Sequence, residues 1–219
     1  MDLLIFGAGS FARLMRGFFE NDAGQKVRAF IVDAAYREEN TLDGLPVLTP
    51  QEALAAHPPG DLALYTAIGY ARMRDRKALY ERGRALGYAP TSFVSNSAHV
   101  SHGVTLGDNC AVFPGVILEP NVKVGTNNIL WSQGTLCHDV RLGDHNFVAA
   151  GSVIGGHTQV GEACFLGFNA AVAHNLVLAD ETLVGAGSVL LESSQAHGRY
   201  LGSPARLVST HAESGIEVT

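Results

Sequence analysis

Residues 129–154 read ILWSQGTLCHDVRLGDHNFVAAGSVI, and an aliphatic residue recurs in this stretch at every sixth position. The same step continues in both directions without an exception or an insertion. Its members are Val100, Leu106, Val112, Leu118, Val124, Leu130, Leu136, Leu142, Val148, Ile154, Val160, Leu166, Val172, Leu178, Val184 and Leu190. Neither a helix of period 3.6 nor a strand of period 2 produces this spacing. The pattern therefore predicts a solenoid in which each six-residue unit forms one short flat side and one turn.

A longer period is superimposed on the first. Gly107, Gly125, Gly143 and Gly161 recur at every eighteenth position, and this period equals three of the six-residue units. Each coil should therefore have three sides, with the aliphatic residues pointing inward. Successive coils should stack at the strand spacing of about 4.8 Å. Dividing the span from Val100 to Leu190 by the longer period predicts five coils.

The first part of the chain has a different organisation. Predicted strands at residues 2–6, 27–32 and 62–68 alternate with helical patterns at residues 11–21, 50–56 and 71–86, and a turn is expected around residues 44–47. This alternation predicts a small α/β domain with a parallel sheet. The expected division is an α/β domain at residues 1–90, a solenoid domain at residues 91–207 and a tail at residues 208–219.

A glycine-rich turn follows the first predicted strand. Residues 7–12, GAGSFA, match the pattern G-x-G-x-x-A between a strand and a helix. Glycines let a backbone approach a phosphate, and a helix N-terminus favours its negative charge. Asp33 ends the second strand, where an acid can accept hydrogen bonds from ribose hydroxyls. The domain has about half the length of a dinucleotide domain, which favours one nucleotide diphosphate over NAD. The alternative is a turn that binds nothing.

Together these features resemble a known group of enzymes. The six-residue repeat resembles the hexapeptide-repeat acyltransferases. With the nucleotide-type domain in front and the closing GSPAR at residues 202–206, the chain resembles bacterial sialic-acid O-acetyltransferases and nucleotide-4-aminosugar N-acetyltransferases. The resemblance implies a fold of class α/β plus all-β, in which a small Rossmann-like domain precedes a left-handed parallel β-helix. It also implies a homotrimer with active sites between subunits and acetyl-CoA as co-substrate. The implied activity is N-acetylation of a nucleotide-linked 4-amino-deoxy sugar for surface glycan biosynthesis.

One turn of the repeat carries groups suited to acyl transfer. His138 and Asp139 follow the inward-facing Leu136 and the adjacent Cys137, so the imidazole should point away from the interior. An imidazole suits general-base work near neutral pH, and an adjacent carboxylate can orient it. Gly156 lies one coil after His138, where its amide could stabilise an oxyanion. The resemblance implies these three roles, and the alternative is a solvated pair at a corner of the solenoid.

The resemblance also implies two sets of binding residues. The acetyl-CoA contacts are Gly156, His157, Ala173, His174, Gly185, Ala186, Pro204 and Arg206. Residues 173–174 and 185–186 are expected on the same edge as His138. The nucleotide-sugar contacts are Gly7, Ala8, Gly9, Ser10, Asp33, Ala67, Ile68 and Gly69. Arg72 or Arg74 is a candidate to offset the diphosphate charge, although this stretch is equally consistent with a solvated helix face.

The remaining histidines do not predict a metal site. His174 lies two coils from His138, about 9–10 Å away, which is too far for one zinc ion to bind both. His145 and His157 are expected to be exposed turn residues. Three other functions stay open: O-acetylation of sialic acid or another glycan hydroxyl, a non-catalytic binding module, and a metal-dependent hydratase.

Composition limits the location and the partners. The formal net charge of −6 argues against a nucleic-acid binder, which usually has a basic face. The first nine residues, MDLLIFGAG, lack the basic start of a signal peptide, and polar residues interrupt every apolar run that could span a membrane. Three widely spaced cysteines predict free thiols in a reducing compartment. We therefore expect a cytoplasmic enzyme without a membrane partner.

Overall fold

The computed structural model describes residues 1–218, which form two compact units. The N-terminal unit consists of residues 1–69 and 78–93. The second unit, called the β-helix unit below, contains residues 70–77 and the chain from residue 94 onward. Within residues 1–218 no helix combines the length and apolar character that crossing a bilayer requires.

The N-terminal unit contains a six-stranded sheet. In chain order its strands are β1 (Leu3–Phe6), β2 (Val27–Ile31), β3 (Thr41–Leu42), β4 (Leu45–Leu48), β5 (Ala63–Thr66) and β6 (Ala89–Pro90). Their order across the sheet is β3-β4-β2-β1-β5-β6. All neighbouring strands are parallel except β3 and β4. The alternation of strands and helices predicted from the sequence is therefore correct, but the sheet is not wholly parallel.

The exception is a hairpin at the position where a simple turn was expected. Asp43 and Gly44 connect β3 to β4, and both have a positive φ. A two-residue turn with this geometry matches the twist of antiparallel strands. The hairpin adds a strand to the edge of the sheet that the sequence pattern did not indicate.

Three α-helices and a short 3₁₀ helix complete the first part of the chain. They are α1 (Ser10–Asn21), the 3₁₀ helix Ala34–Tyr36, α2 (Pro50–Ala56) and α3 (Met73–Ala85). Helix α1 buries Ala12, Met15 and Phe19, whereas Leu14 on the same helix is exposed. Helix α2 begins at a capping box, in which the Thr49 and Glu52 side chains each accept a hydrogen bond from the other residue's backbone N–H.

The β-helix unit is built on three sheets of mostly two-residue strands. The first sheet contains β7 (Phe93–Val94), β10 (Ala111–Val112), β13 (Ile129–Leu130), β16 (Phe147–Val148), β19 (Phe165–Leu166), β22 (Leu183–Val184), β24 (Gly198–Gly202) and β25 (Ala205–Thr210). The second contains β8 (His99–Val100), β11 (Ile117–Leu118), β14 (Thr135–Leu136), β17 (Val153–Ile154), β20 (Ala171–Val172) and β23 (Val189–Leu190). The third contains β9 (Thr105–Leu106), β12 (Lys123–Val124), β15 (Arg141–Leu142), β18 (Gln159–Val160) and β21 (Val177–Leu178).

The register of these strands follows the 18-residue period of the sequence. Paired residues in neighbouring coils are 18 positions apart, as in Leu136 with Ile154. The repeated aliphatic residue is the second residue of its strand, and from Val112 to Leu190 every one is buried. The three-sided solenoid with an aliphatic interior is therefore confirmed, and its parallel strands fit the left-handed β-helix that the resemblance implies.

The turns of the solenoid have a repeated backbone geometry of their own. Every sixth residue from Gly103 to Gly187 has a positive φ, between +52° and +72°. Glycine, asparagine and aspartate tolerate this conformation best, but His145 and His157 also occupy it. Because the turns of successive coils stack on one another, residues in equivalent turn positions form columns along each corner.

The end of the chain is part of the β-helix unit. Strands β24 and β25 form an antiparallel hairpin that pairs with β22. After it, Val218 N–H donates to the Ala71 carbonyl at 3.0 Å, and Met73 N–H donates to the Ile216 carbonyl at 3.2 Å. Ile216 is buried. Residues 208–218, which the sequence left as a tail, thus include the end of β25 and the buried side chain of Ile216. Thr219 lies outside the described residues.

Candidate active site

The candidate catalytic residues lie on one corner of the β-helix, where the turns after β11, β14, β17 and β20 stack. Two columns of turn residues matter. The first contains Pro120, His138, Gly156 and His174, and the second contains Asn121, Asp139, His157 and Asn175. All four members of the second column have a positive φ. The 18-residue period therefore places Gly156 beside His138, and His157 beside Asp139.

His138 and Asp139 form a hydrogen-bonded pair. The Nδ1 atom of His138 lies 3.0 Å from Oδ2 of Asp139. The hydrogen bond with His138 lowers the pKa of Asp139, and the Asn121 side chain, which donates to Oδ1 at 3.3 Å, adds to this effect. Asp139 is therefore ionised at neutral pH. Since a carboxylate only accepts, the neutral imidazole carries its proton on Nδ1 and keeps a lone pair on Nε2.

Gly156 lies against the Nε2 side of that ring. A Cβ atom on this residue would come within 2.8 Å of both Nε2 and Cε1 of His138. Only glycine at this position leaves enough space for the His138 ring. Within residues 1–218 no group accepts a hydrogen bond from the Gly156 N–H. Gly156 therefore lies beside the Nε2 edge of the imidazole, in the coil position that the 18-residue step predicts.

The structure adds residues that sequence reasoning missed. Oε2 of Glu119 accepts a hydrogen bond from the His138 backbone N–H at 2.7 Å, which holds the turn that carries the base. Asn121 holds the carboxylate of Asp139, as described above. Both lie one coil before the residues of the 138 turn, so applying the 18-residue step backward would have found them.

The surroundings of His157 also differ from the expectation. The side chain is half exposed, as predicted, but its Nδ1 lies 3.9 Å from Oδ2 of Asp139. Its ring meets that of His138 edge to face, with centroids 5.0 Å apart. Along the repeat, His157 is one position out of phase with His138. It is in phase with Asp139, one coil earlier, and this relation decides its contacts.

His145, in contrast, is buried, and the prediction of an exposed turn residue is wrong. Its Nδ1 lies 2.9 Å from Nδ2 of Asn127, in the equivalent turn one coil earlier. Arg76, itself buried, donates to the carbonyl oxygen of His145 at 2.7 Å. Burial lowers the pKa of the His145 imidazole, and the nearby Arg76 charge lowers it further. A segment of helix α3 covers this corner, which the repeat could not reveal.

The candidate acetyl-CoA residues fall into three places. Ala173 and His174 continue the corner of His138, as predicted. Gly185 and Ala186 do not, because they follow β22 in the first sheet and are out of phase with the 138 turn. Pro204 lies in the turn between β24 and β25, and Arg206 lies in β25. The expectation that residues 185–186 share the edge of His138 is therefore wrong.

The candidate nucleotide residues of the N-terminal unit surround the end of β1. Gly7 has a φ of +128°, and a Cβ there would overlap the carbonyl oxygen of Ala67. This close approach places Gly7 beside Ala67, the residue that follows β5. Gly9 is the N-cap of α1, where no side chain caps the first-turn amides, and Ser10 is exposed.

Asp33 and the two arginines considered for diphosphate binding all form ion pairs within the protein. Both carboxylate oxygens of Asp33 accept hydrogen bonds from the guanidinium of Arg82, a residue that the sequence gave no reason to select. In the β-helix unit, Arg74 forms two hydrogen bonds of 3.0 Å to the carboxylate of Glu181 and also donates to the Ala212 and Glu213 carbonyls. Arg74 therefore holds the chain end in place. Arg72 pairs with Asp75 and Glu217.

All three cysteines are free thiols, as the sequence predicted. Burial raises the pKa of Cys110 and of Cys164 to about 12. Partial burial, with a smaller contribution from the Glu119 charge, raises the pKa of Cys137, which precedes the base. These shifts disfavour thiolates, so the nucleophilic chemistry of a cysteine enzyme is not supported here.

No family model and no curated protein sequence matches the chain. Among solved structures, a mutant of GDP-perosamine N-acetyl transferase from Caulobacter crescentus, in complex with CoA and GDP-perosamine, is 28% identical, with a TM-score of 0.85 over 95% of this chain and 97% of that chain. PerB from the same organism, with the same two ligands, is 29% identical, with a TM-score of 0.83 over 95% and 98%.

A third structure shares the fold at lower identity. The acetyltransferase domain of PglB from Neisseria gonorrhoeae, in complex with acetyl coenzyme A, is 21% identical, with a TM-score of 0.84 over 94% of this chain and 98% of that chain. These matches confirm the resemblance to hexapeptide-repeat sugar acyltransferases across nearly the whole chain. The class that the fold and the site define is an acyltransferase.

Proposed function

We propose that this protein transfers the acetyl group of acetyl-CoA to the amino group of a nucleotide-linked amino-deoxy sugar, with a 4-amino sugar as the preferred acceptor. The observation that carries this proposal is the pairing of His138 with Asp139, with the ring seated against Gly156. The proposal is supported by the similarity of this chain, over 95% of its length, to structures crystallised with CoA and GDP-perosamine.

The β-helix unit supplies the chemistry. The substrate amine attacks the thioester carbonyl, and Nε2 of His138 accepts the proton that the nitrogen loses. Asp139 keeps the Nδ1 proton in place and offsets the charge of the imidazolium that forms. The Gly156 N–H donates a hydrogen bond to the developing oxyanion. When the tetrahedral intermediate collapses, the C–S bond breaks and the departing CoA thiolate takes the proton from the imidazolium.

We assign acetyl-CoA binding to residues on the surface of the β-helix unit. The pantetheine chain would follow His157, Ala173 and His174 along the corner of His138, and Gly185 and Ala186 would contact it from the corner after β22. Pro204 and Arg206 in the hairpin would meet the adenine and phosphate end. This assignment needs residues of two corners, which fits sites formed between the copies of a homotrimer.

The outward side of the second sheet supports that oligomer. Its strands expose Ile117 and Val153, each 40% accessible, on a flat face of parallel strands. A flat apolar face of this kind is normally covered by another chain. We therefore propose that three copies lie side by side with these faces in contact.

We propose that the N-terminal unit is a Rossmann-like domain and that it recognises the nucleotide. The uncapped amides at the start of α1 and the close approach of Gly7 to Ala67 suit a diphosphate. Arg82 provides a positive charge, and each oxygen of Asp33 retains a lone pair for a ribose hydroxyl. The free thiols support a cytoplasmic location for the reaction, because cysteines stay reduced in that compartment.

Kinetics with purified protein test the proposal. UDP-, dTDP-, GDP- and CMP-linked amino sugars and their hydroxy counterparts are each incubated with acetyl-CoA, and release of the CoA thiol is recorded. We expect turnover with an amino sugar, and we expect His138→Ala to lower kcat by about 10²–10⁴. His102→Ala, a change at an exposed histidine of the β-helix unit, is the matched control and should leave kcat unchanged. Turnover of hydroxy sugars alone would show that the protein is an O-acetyltransferase. A normal rate for His138→Ala would show that His138 is not the base.

A further inference from the structure

Three potential metal ligands meet at the catalytic corner. The ligand atoms of His138, Asp139 and His157 all lie within 4.8 Å of one another. Oδ2 of Asp139 is central, at 3.0 Å from Nδ1 of His138 and 3.9 Å from Nδ1 of His157. Acyl transfer as proposed uses the contact between His138 and Asp139 but gives no role to the contact between Asp139 and His157.

These distances are close to those of a zinc site. In a tetrahedral site with ligands about 2.0–2.1 Å from the metal, neighbouring ligand atoms are about 3.3–3.4 Å apart. Nδ1 of His138 and Oδ2 of Asp139 are already closer than that, at 3.0 Å, and Nδ1 of His157 needs to approach Oδ2 of Asp139 from 3.9 Å by about 0.5 Å. Both imidazoles are about half exposed, at 54% and 55%, so small rotations of their side chains meet little resistance.

The surroundings also suit a bound cation. The Asn121 amide holds Oδ1 of Asp139 at 3.3 Å, which leaves Oδ2 facing the two histidines. Partners that orient a ligating carboxylate in this way raise the metal affinity of a site. The three ligands would leave the fourth tetrahedral position to water, and the exposed sides of the two imidazoles provide the entry path.

We infer that His138, Asp139 and His157 bind a Zn²⁺ ion through Nδ1, a carboxylate oxygen and Nδ1, and that this ion is an inhibitor of acetyl transfer and not a cofactor. The inhibitory part rests on the proposed function, whereas the metal site itself does not.

The inhibition follows from the proton positions on His138. In the metal-free protein Nδ1 carries the proton and Nε2 has the lone pair that accepts the proton of the amine. Binding of Zn²⁺ to Nδ1 displaces that proton, and the neutral ring then carries its single proton on Nε2. The number of protons on the imidazole does not change, but the basic lone pair is now committed to the metal. Zn²⁺ binding thus disables the base.

Direct binding measurements test the site without reference to activity. Full-length protein treated with a chelator is titrated with Zn²⁺ in competition with a chromophoric chelator, and with Co²⁺, whose visible absorption reports tetrahedral coordination. We expect one ion per chain. We expect His157→Asn to weaken binding by at least about tenfold, the lower end of the effect of removing even an outer partner of a metal ligand. Asparagine suits this position because Asn121 and Asn175 occupy the equivalent turns.

The control is His102→Asn, which removes an exposed histidine outside the cluster and should leave the zinc affinity unchanged. NMR of the imidazole nitrogens should show that the His138 proton moves from Nδ1 to Nε2 when Zn²⁺ is added. Circular dichroism and thermal unfolding of each variant establish that the fold is retained.

Activity measurements separate this inference from the proposed function. Zn²⁺ should inhibit acetyl transfer by the unmodified protein, and His157→Asn should need at least about ten times more Zn²⁺ for the same fractional loss of its own rate. If no sugar is acetylated but Zn²⁺ binds as described, the proposed function fails and the metal site stands. If acetyl transfer occurs but Zn²⁺ does not bind stoichiometrically, or binds equally well after His157→Asn, the metal site is overturned.

Discussion

The two units of this protein differ in how distant residues are brought together. In the β-helix unit, neighbours across coils are 18 positions apart, so Gly156 lies beside His138 and His157 beside Asp139. In the N-terminal unit, Gly7 meets Ala67 and Asp33 meets Arg82 at separations that follow no repeat. The contacts at a solenoid corner can therefore be predicted from spacing alone, whereas the corresponding contacts of an α/β sheet depend on strand order and helix packing.

The largest expected effect comes from disturbing that spacing. Inserting one glycine between Thr135 and Leu136 interrupts a strand of only two residues and shifts His138 relative to Gly156. A one-residue slip turns inward side chains outward, and exposing Leu136 alone costs about 1.5–3 kcal/mol. We expect acetyl transfer to fall by at least about 10², the lower end of a general-base contribution, as measured by thiol release.

The matched change in the other unit should be harmless. A glycine inserted between Gly60 and Asp61 lengthens an exposed loop, where insertions are tolerated. Normal activity after the insertion in β14 would show that the stacking register does not position the base.

The next effect tests a contact that spacing could not predict. Gly7→Ala places a methyl group against the Ala67 carbonyl and forces alanine to a φ of +128°. Strain of this kind costs about 1–3 kcal/mol. We expect a free energy of unfolding lower by at least that amount in urea, with a higher KM for the nucleotide sugar.

Gly9→Ala is the control in the same turn. Gly9 has an extended backbone with a φ of −77°, and a Cβ there would have no atom within 4 Å. Its substitution should change the free energy of unfolding by less than about 0.5 kcal/mol. Equal losses from the two substitutions would contradict the close approach of residues 7 and 67.

A smaller effect concerns the buried histidine of the β-helix unit. Burial lowers the pKa of His145 from its ordinary value of 6.5, so the folded protein keeps this ring neutral while the unfolded chain takes up a proton. Stability should therefore fall as the pH decreases below about 6.5, by up to about 1.4 kcal/mol per pH unit until the folded-state pKa is reached. His145→Asn should remove this contribution to the slope in urea unfolding measured from pH 7.5 downward.

Asparagine is compatible with the position, since Asn109 and Asn127 occupy the equivalent turns with a positive φ. The exposed His102→Asn change serves as the control and should leave the slope as it is in the unmodified protein. If His145→Asn and His102→Asn gave the same pH dependence as the unmodified protein, burial of a neutral imidazole would not contribute to acid sensitivity.

The smallest effect is expected from the ion pair of the N-terminal unit. Arg82→Ala removes the partner of Asp33, but the Arg82 side chain is 54% exposed and screened by solvent. We expect a change in the free energy of unfolding of about 1 kcal/mol or less. A higher KM for the nucleotide sugar with unchanged stability would support a role of Arg82 in diphosphate binding. An unchanged KM would show that Arg82 has no such role.

Sequence reasoning succeeded where a single rule covered many residues. The six-residue step identified aliphatic residues that are all buried from Val112 to Leu190, and the 18-residue step brought Gly156 to His138. It failed where the same rule was not applied in full: Glu119, Asn121 and the contact between His157 and Asp139 were one coil away and were missed. The placement of Gly185 on the wrong corner has the same origin.

The sequence by itself determined the β-helix, the alternation of strands and helices before it, and the position of the candidate base, because these depend on periodic burial of apolar side chains. Only the tertiary structure decided that Arg76 covers His145, that Arg74 and Ile216 hold the end of the chain, and that Arg82 pairs with Asp33. These contacts join segments whose separation along the chain has no period. The contact of Arg76 forms because a buried guanidinium needs partners, and the packed chain supplies the carbonyl groups that are near it.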